Sequence, residues 1–137
     1  MHSPEPRILC TEDDPDTREL LEMILQQAGY RVECAESSTQ AVQLARSQVY
    51  DLILVDSWMP EMSGDQVTKA IRTFNASTPI LYYSGAAYES DKQHARDAGA
   101  QGYLVKPEGI SSLVAEVAKL IAEARIAFPV AIDPQPG

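Results

Sequence analysis

The sequence predicts an α/β fold in which five parallel strands form an open, doubly wound sheet covered by helices on both faces. Short apolar runs alternate five times with longer segments of helical periodicity, and this order produces parallel strands joined by right-handed crossovers. The middle run, residues 51–55, ends in four consecutive apolar residues, which is typical of a central strand buried on both faces. The length of 137 residues fits one domain.

The first strand and helix have the clearest signals. Residues 7–11 form a short apolar run, and Asp14 and Pro15 then suit the N-cap and the first turn of a helix. Gly29 suits the end of this helix, which we expect over residues 14–29. The residues on its apolar face are Leu20, Leu21, Ile24, Leu25 and Ala28.

The remaining four strand–helix pairs follow the same pattern of short apolar runs and periodic segments. The expected strands cover residues 30–35, 51–55, 79–84 and 102–105. The expected helices cover residues 37–48, 64–74, 88–99 and 111–126. The fourth helix is the most polar and is expected to stop at Gly99, whereas the fifth is strongly periodic.

Prolines gather at both ends of the chain, two in the first six residues and three in the last ten. We therefore expect one domain, residues 7–126, between a flexible leader, residues 1–6, and a proline-rich tail or linker stub, residues 127–137. The first residues have no apolar core of a secretory signal, and no run approaches the roughly 20 apolar residues that span a bilayer. A cytoplasmic protein is expected.

Charge and cysteine content narrow the classes of partner. The formal net charge is −9, from 11 basic and 20 acidic residues, which disfavours direct binding to nucleic acid or to an anionic membrane. Cys10 and Cys34 lie in expected strands. In a cytosolic protein such thiols are more often buried small apolar side chains than a disulfide or a metal site.

Polar side chains stand where four of the expected strands end. They are Glu12, Asp13 and Asp14 after the first strand, Asp56 after the third, Ser84 at the end of the fourth and Lys106 after the fifth. The carboxyl ends of parallel strands form the binding crevice of such a sheet, so the acids converge if the first and third strands are neighbours. Unit charges about 4 Å apart repel by about 1 kcal/mol in water and by more near a protein surface.

A hard divalent cation such as Mg²⁺ would offset this repulsion, because it prefers oxygen ligands. A metal, a carboxylate, a lysine and a hydroxyl around one point suit phosphoryl transfer, in which the carboxylate accepts the phosphoryl group as an acyl phosphate. Asp56 is the expected acceptor, because the central strand delivers it to the crevice.

Four motifs, "ILCTEDD", "DLILVDSWMPEMSG", "PILYYSG" and "GYLVKP", occur in this order. Together they resemble the receiver domain of two-component response regulators, from about Arg7 to Ile126. The resemblance implies a flavodoxin-like sandwich with strand order 2-1-3-4-5. It also implies phosphorylation of Asp56 by a phosphohistidine on a histidine kinase or a phosphotransfer protein.

The resemblance further implies a role for each site residue. Mg²⁺ would be held by Glu12, Asp13, Asp56 and the backbone carbonyl of Trp58. Ser84 and Lys106 would grip the phosphoryl oxygens, with a cis peptide bond between Lys106 and Pro107. Asp14 would cap the first helix.

A switch is implied as well. Ser84 would move toward the phosphoryl group and Tyr103 would turn inward, which would reshape the face made by helix 4, strand 5 and helix 5. That face would control a downstream effector protein or domain.

Two other functions compete with this hypothesis. A Mg²⁺-dependent phosphatase with an aspartyl nucleophile usually needs a second acid two residues later, where this chain has Trp58. A receiver-like scaffold that binds partners without phosphorylation would not need the acids, Ser84 and Lys106 that the sequence retains.

Overall fold

The computed structural model describes residues 5–128, which contain five strands and five α-helices in strict alternation. The strands are β1 (Arg7–Thr11), β2 (Arg31–Ala35), β3 (Leu52–Val55), β4 (Ile80–Ser84) and β5 (Gly102–Val105). The helices are α1 (Pro15–Gln27), α2 (Ser38–Ser47), α3 (Gly64–Arg72), α4 (Glu89–Ala98) and α5 (Leu113–Ala127), with a 3₁₀ helix (Glu108–Ser112) before α5.

The strands form one parallel sheet in the order β2-β1-β3-β4-β5. The predicted fold class and strand order are therefore confirmed. Residues 1–4 and 129–137, which contain most of the expected leader and tail, lie outside the described residues, so the predicted domain limits remain predictions.

Two apolar layers enclose the sheet, because successive side chains of each strand point to opposite faces. In β3, Ile53 and Val55 pack with α2, α3 and α4, whereas Leu52 and Leu54 pack with α1 and α5. All four side chains are buried, as expected for a central strand. No helix within residues 5–128 has both the length and the apolar character needed to cross a membrane.

The prediction of the buried face of α1 is wrong for the first and last of its five residues. Leu20 is 41 % exposed and Ala28 is also exposed, whereas Leu21 and Leu25 are buried and Ile24 is half-buried. The buried stripe is narrow because α1 rests on the sheet along the single row of residues that are four positions apart. Its N-terminus is as predicted, since the Asp14 carboxylate accepts a hydrogen bond from the backbone N–H of Thr17 at 2.9 Å.

Both cysteines are free and lie on the face that packs against α1 and α5. Cys10 is fully buried, Cys34 is half-buried, and the two are partners in the register of β1 and β2. Hydrogen bonding to Cys34, followed by burial, raises the pKa of the Cys10 thiol well above its ordinary value. The prediction of a buried core thiol is confirmed for Cys10, whereas Cys34 is only partly buried at the edge of the same cluster.

Candidate functional site

The polar ends of four strands meet at one edge of the sheet. The backbone N–H of Asp56 donates to the carbonyl oxygen of Thr11 at 3.2 Å, which joins the ends of β1 and β3. The backbone N–H of Lys106 donates to the carbonyl oxygen of Ser84 at 2.8 Å, which joins the ends of β4 and β5. Because β3 and β4 are also neighbours, residues far apart in the sequence share one crevice.

Three carboxylates cluster in this crevice. Each of Glu12, Asp13 and Asp56 has a carboxylate oxygen within 4.8 Å of the others. Glu12 is only 2 % exposed and Asp56 only 6 %, whereas Asp13 is exposed. The predicted convergence of these acids is what the fold produces, and their oxygen atoms are the kind of ligand that a hard divalent cation prefers.

Lys106 supplies the positive charge beside these acids. Its ammonium group donates to Glu12 Oε1 at 2.8 Å and to Asp56 Oδ2 at 3.1 Å. Burial alone would lower the pKa of Lys106, but the hydrogen bonds and charges of the two carboxylates outweigh burial and raise it. Lys106 also lies 5.5 Å from the centre of the Tyr83 ring, a cation–π contact that the sequence did not lead us to expect.

Glu12 is held from several sides. Its Oε2 accepts a hydrogen bond from the backbone N–H of Asp14 at 3.2 Å, and its carbonyl oxygen accepts one from Arg18 Nη1 at 3.1 Å. Burial raises the pKa of Glu12, the hydrogen bond from Lys106 opposes this rise, and the charge of Asp56 adds to it. The position of Glu12 is thus fixed by the loop after β1 and by Arg18 of α1, and its negative charge is stabilised by Lys106.

Ser84 and Tyr103 meet at residue 86, on the β4–α4 loop. The fully buried Ser84 hydroxyl accepts a hydrogen bond from the backbone N–H of Ala86 at 3.1 Å. The Tyr103 hydroxyl donates to the carbonyl oxygen of Ala86 at 2.6 Å and lies 3.3 Å from Ser57 Oγ. In this state the Ser84 hydroxyl is engaged by its own loop, and Tyr103 already lies half-buried against that loop.

Trp58 follows the site on the β3–α3 loop. As a residue, Trp58 is 70 % exposed. Its backbone N–H makes a long hydrogen bond, 3.4 Å, to Asp56 Oδ1. Trp58 therefore contributes its backbone to the crevice, and its ring lies in solvent, where it can report on events at Asp56.

The N-terminus of α3 is locked against this loop by buried hydroxyl groups. The Tyr82 hydroxyl donates to Asp65 Oδ1 at 2.8 Å and lies 2.9 Å from Thr68 Oγ1. Thr68 in turn donates to the carbonyl oxygen of Gly64 at 2.8 Å. The Tyr82 ring stacks on Tyr103, with 5.4 Å between ring centres. This network was not predicted from the sequence, because a tyrosine in an otherwise apolar strand is usually a core side chain.

Gly64 allows α3 to approach the backbone of Asp56. A Cβ atom at residue 64 would collide with the Asp56 carbonyl oxygen and would lie 2.9 Å from Ser57 Cα. We expect Gly64→Ala to lower the free energy of unfolding by about 1 to 3 kcal/mol, the usual cost of overpacking. Urea denaturation measures this change. Gly85→Ala is the matched control, because a Cβ there meets nothing within 4 Å; equal stability of the two variants would contradict the close approach.

Comparison with known proteins identifies the family. The family model "Response regulator receiver domain" matches residues 8–118. The transcriptional regulatory protein ZraR of Klebsiella oxytoca is 34 % identical over 119 residues, which is 87 % of this chain and 27 % of ZraR. The match thus covers only about a quarter of that regulator's length.

Solved structures of receiver domains and response regulators have the same fold as this chain. The receiver domain of sensor histidine kinase PA1611 from Pseudomonas aeruginosa PAO1, with a magnesium ion coordinated in its active site cleft, superposes with a TM-score of 0.80 at 32 % identity, covering 86 % of this chain and 98 % of that one. Response regulator TrrA from Thermotoga maritima, in complex with Mg(2+)-BeF, gives a TM-score of 0.76 at 34 % identity, covering 84 % and 98 %.

The chain belongs to the response regulator receiver domain family. It is a phosphoacceptor domain of two-component signalling. The predicted family, fold and class of function are confirmed. The alternative of a scaffold that ignores phosphorylation is not favoured.

Proposed function

We propose that Asp56 is the phosphoacceptor and that a phosphohistidine on a sensor kinase or a phosphotransfer protein is the donor. The observation that carries this proposal is the position of the Asp56 carboxylate. It lies almost fully buried among Glu12 and Asp13, with the Lys106 ammonium 3.1 Å from its Oδ2. The other two acids of the crevice follow β1, so Asp56 is the one carboxylate that the central strand delivers to an incoming group.

The side chains of this site have complementary tasks in the transfer. An Asp56 oxygen attacks the phosphorus atom as the P–N bond to the donor imidazole breaks, so that an acyl phosphate forms. Lys106 balances charge on the transferring oxygens, and Ser84 can donate its hydroxyl proton to one of them once it leaves Ala86. The product is a modified signalling protein, so we infer that its only chemistry is on itself: acceptance and later hydrolysis of the phosphoryl group.

We further propose that Mg²⁺ is the cofactor. The donor set fits, because three carboxylates within 4.8 Å of one another repel, and Lys106 contacts only Glu12 and Asp56 among them. Glu12, Asp13, Asp56 and the backbone carbonyl of Trp58 would hold the ion. When bound, it would stabilise negative charge on the transferring phosphoryl group. The magnesium ions reported for the PA1611 receiver and for TrrA support this assignment.

The proposed output is the face formed by α4, β5 and α5. Ser84 and Tyr103 both hydrogen bond with the backbone of Ala86. If the Ser84 hydroxyl moved toward a phosphoryl group, the Ala86 N–H would lose its partner, and the backbone that binds the Tyr103 hydroxyl could shift. A change of the Tyr103 contacts would then shift the population of two packings at this face. A downstream effector protein or domain would read the difference, in the cytoplasm, where we predict the protein acts.

Trp58 offers a direct test of the proposed function. We expect its fluorescence to change when Mg²⁺ is added and to change again when acetyl phosphate is added, because the exposed indole stands two residues after the acceptor. In Asp56→Ala the second change should vanish, since no carboxylate remains to form the acyl phosphate. A second change of equal size in Asp56→Ala would contradict the assignment of Asp56.

The raised pKa of Glu12 predicts a pH dependence of metal binding. A proton on Glu12 blocks its ligand oxygen, and burial raises the pKa of this carboxyl above its ordinary 4.5. As the pH is lowered toward 4.5, Mg²⁺ affinity should therefore start to fall before an ordinary glutamate would be protonated, approaching tenfold per pH unit once Glu12 is protonated. Titration of Trp58 fluorescence with Mg²⁺ at each pH measures it. Constant affinity over this range would contradict a role for Glu12 as a ligand.

A further inference from the structure

Two nucleophilic side chains that the proposed phosphoryl chemistry does not use face each other in the sheet. Cys10 on β1 and Cys34 on β2 are register partners, and both side chains lie on the α1 and α5 side. Cys10 is fully buried, whereas Cys34 is half-buried on β2, the edge strand of the sheet. Cys34 is thus the more accessible of the two residues, and Cys10 lies beside it on the next strand toward the centre of the sheet.

The spacing of the two cysteines permits a covalent bond. Neighbouring strands lie about 4.8 Å apart, within the range of about 4.4 to 6.8 Å that separates the Cα atoms of disulfide-bonded cysteines. Both side chains lie on the same face of the sheet, so the two sulfur atoms are on neighbouring strands with no strand between them. Closing the bond therefore requires local adjustment of two adjacent strands and no rearrangement of the fold.

Cys34 also has a proton acceptor at hand. Its thiol donates a hydrogen bond to Glu22 Oε2 on α1 at 3.1 Å. The thiolate is the nucleophilic form of cysteine, and a carboxylate in hydrogen-bonding contact can take the proton as the sulfur attacks. Glu22 thus gives Cys34 a route to react that the enclosed Cys10 lacks.

We propose that Cys10 and Cys34 form a reversible disulfide when the protein meets a peroxide. The Cys34 sulfur attacks one peroxide oxygen as Glu22 takes the thiol proton and the O–O bond breaks. The leaving hydroxide takes that proton from Glu22 and departs as water, which leaves Cys34 oxidised to a sulfenic acid. The Cys10 sulfur then attacks the Cys34 sulfur, the S–S bond forms as the S–O bond breaks, and the sulfenic hydroxyl leaves with the Cys10 thiol proton as a second water. Two thiols and one peroxide become one disulfide and two waters.

The geometry of the pair makes this bond a switch rather than a structural cross-link. Side chains on parallel partners keep close to the strand spacing, which is wider than the Cβ separation of about 3.5 to 4.5 Å in relaxed disulfides. The bond would hold the two strands under strain, and strained disulfides are the more easily reduced ones. A mild thiol reductant should therefore restore both cysteines.

Mass spectrometry of the full chain tests the proposal. After exposure to hydrogen peroxide and alkylation of free thiols, we expect the intact mass to show the loss of two hydrogens. Peptide mapping without reductant should join the peptide of Cys10 to that of Cys34 within one chain, and dithiothreitol should reverse the bond. Asp56→Asn should form the same bond, because the chemistry is independent of phosphorylation.

Three variants make the result specific. Cys10→Ser should accumulate oxygen on Cys34 without a cross-link, Cys34→Ser should leave the enclosed Cys10 unoxidised, and Glu22→Gln should slow formation by at least about tenfold. Oxidation of Cys34 to stable oxyacids in the wild-type chain, or cross-links only between two chains, would overturn the proposal. An unchanged rate in Glu22→Gln would remove Glu22 as the proton acceptor.

Discussion

Asp56→Asn is expected to abolish Mg²⁺-dependent phosphorylation, with incorporation from a small phosphodonor falling more than about 100-fold. The amide cannot form the acyl phosphate, while its size and shape preserve the packing of the loop after β3. The substitution also removes one of three clustered carboxylates, so the folded state should not be weakened by added repulsion. Incorporation of labelled phosphoryl groups, measured beside a thermal unfolding curve, separates loss of chemistry from loss of fold.

Asp51→Asn is the matched control for this experiment. Asp51 stands at the opposite end of the same strand, where its Oδ2 accepts a hydrogen bond from the backbone N–H of Arg7 at 2.7 Å. An asparagine oxygen can still accept that bond, so this variant should fold and be phosphorylated like the wild type. Retention of most of the phosphorylation in Asp56→Asn, with Asp51→Asn unchanged, would show that another residue is the acceptor.

Lys106→Ala is expected to have the second largest effect, because it damages both the reaction and the resting fold. Loss of one fixed positive donor to the transferring oxygens should slow phosphoryl acceptance by about 10²- to 10³-fold. The buried Glu12 carboxylate would also lose its 2.8 Å partner. We therefore expect a loss of unfolding free energy on the order of 2 kcal/mol without Mg²⁺. Phosphorylation rates and urea denaturation measure the two effects.

Mg²⁺ and a second lysine variant provide the controls for Lys106. The ion should stabilise Lys106→Ala more than the wild type, since it replaces the missing positive charge among the carboxylates and binds only the folded state. Lys119→Ala removes an exposed lysine that is 3.9 Å from Glu116 on α5, and it should change neither quantity appreciably. Equal stability of Lys106→Ala and the wild type at low Mg²⁺ would contradict the bridging role of Lys106.

Much of this fold is encoded in local patterns. The apolar run that ends at Val55 predicts a central strand, and Asp14 with Pro15 predicts the start of α1; both features are present. The errors arise where packing against neighbouring elements determines which residues are buried, or where the local sequence has no periodic pattern. Leu20 lies on the apolar side of an isolated helix, but the sheet covers only a narrow stripe of α1. The 3₁₀ helix Glu108–Ser112 was not predicted, since its sequence has no periodic pattern of its own.

The candidate site was predictable for a different reason. Parallel strands place their carboxyl ends at one edge, so the polar residues that follow β1, β3 and β5 had to approach one another once the strand order was given. That order came from the resemblance to receivers and not from the residues themselves. Contacts that depend on the direction of a side chain could not be predicted from the sequence. Examples are the contact between Lys106 and the Tyr83 ring and the hydrogen bond from the Tyr82 hydroxyl to Asp65.

The central claim is that the crevice holding Glu12, Asp13, Asp56 and Lys106 is the place where the phosphoryl group is received. The most direct measurement is to phosphorylate the full chain in Mg²⁺, reduce the acyl phosphate with borohydride and locate the modified residue by peptide mass spectrometry. We predict modification at Asp56 alone. An acyl phosphate located on Asp13 or on another carboxylate, with Asp56 unmodified, would contradict the account.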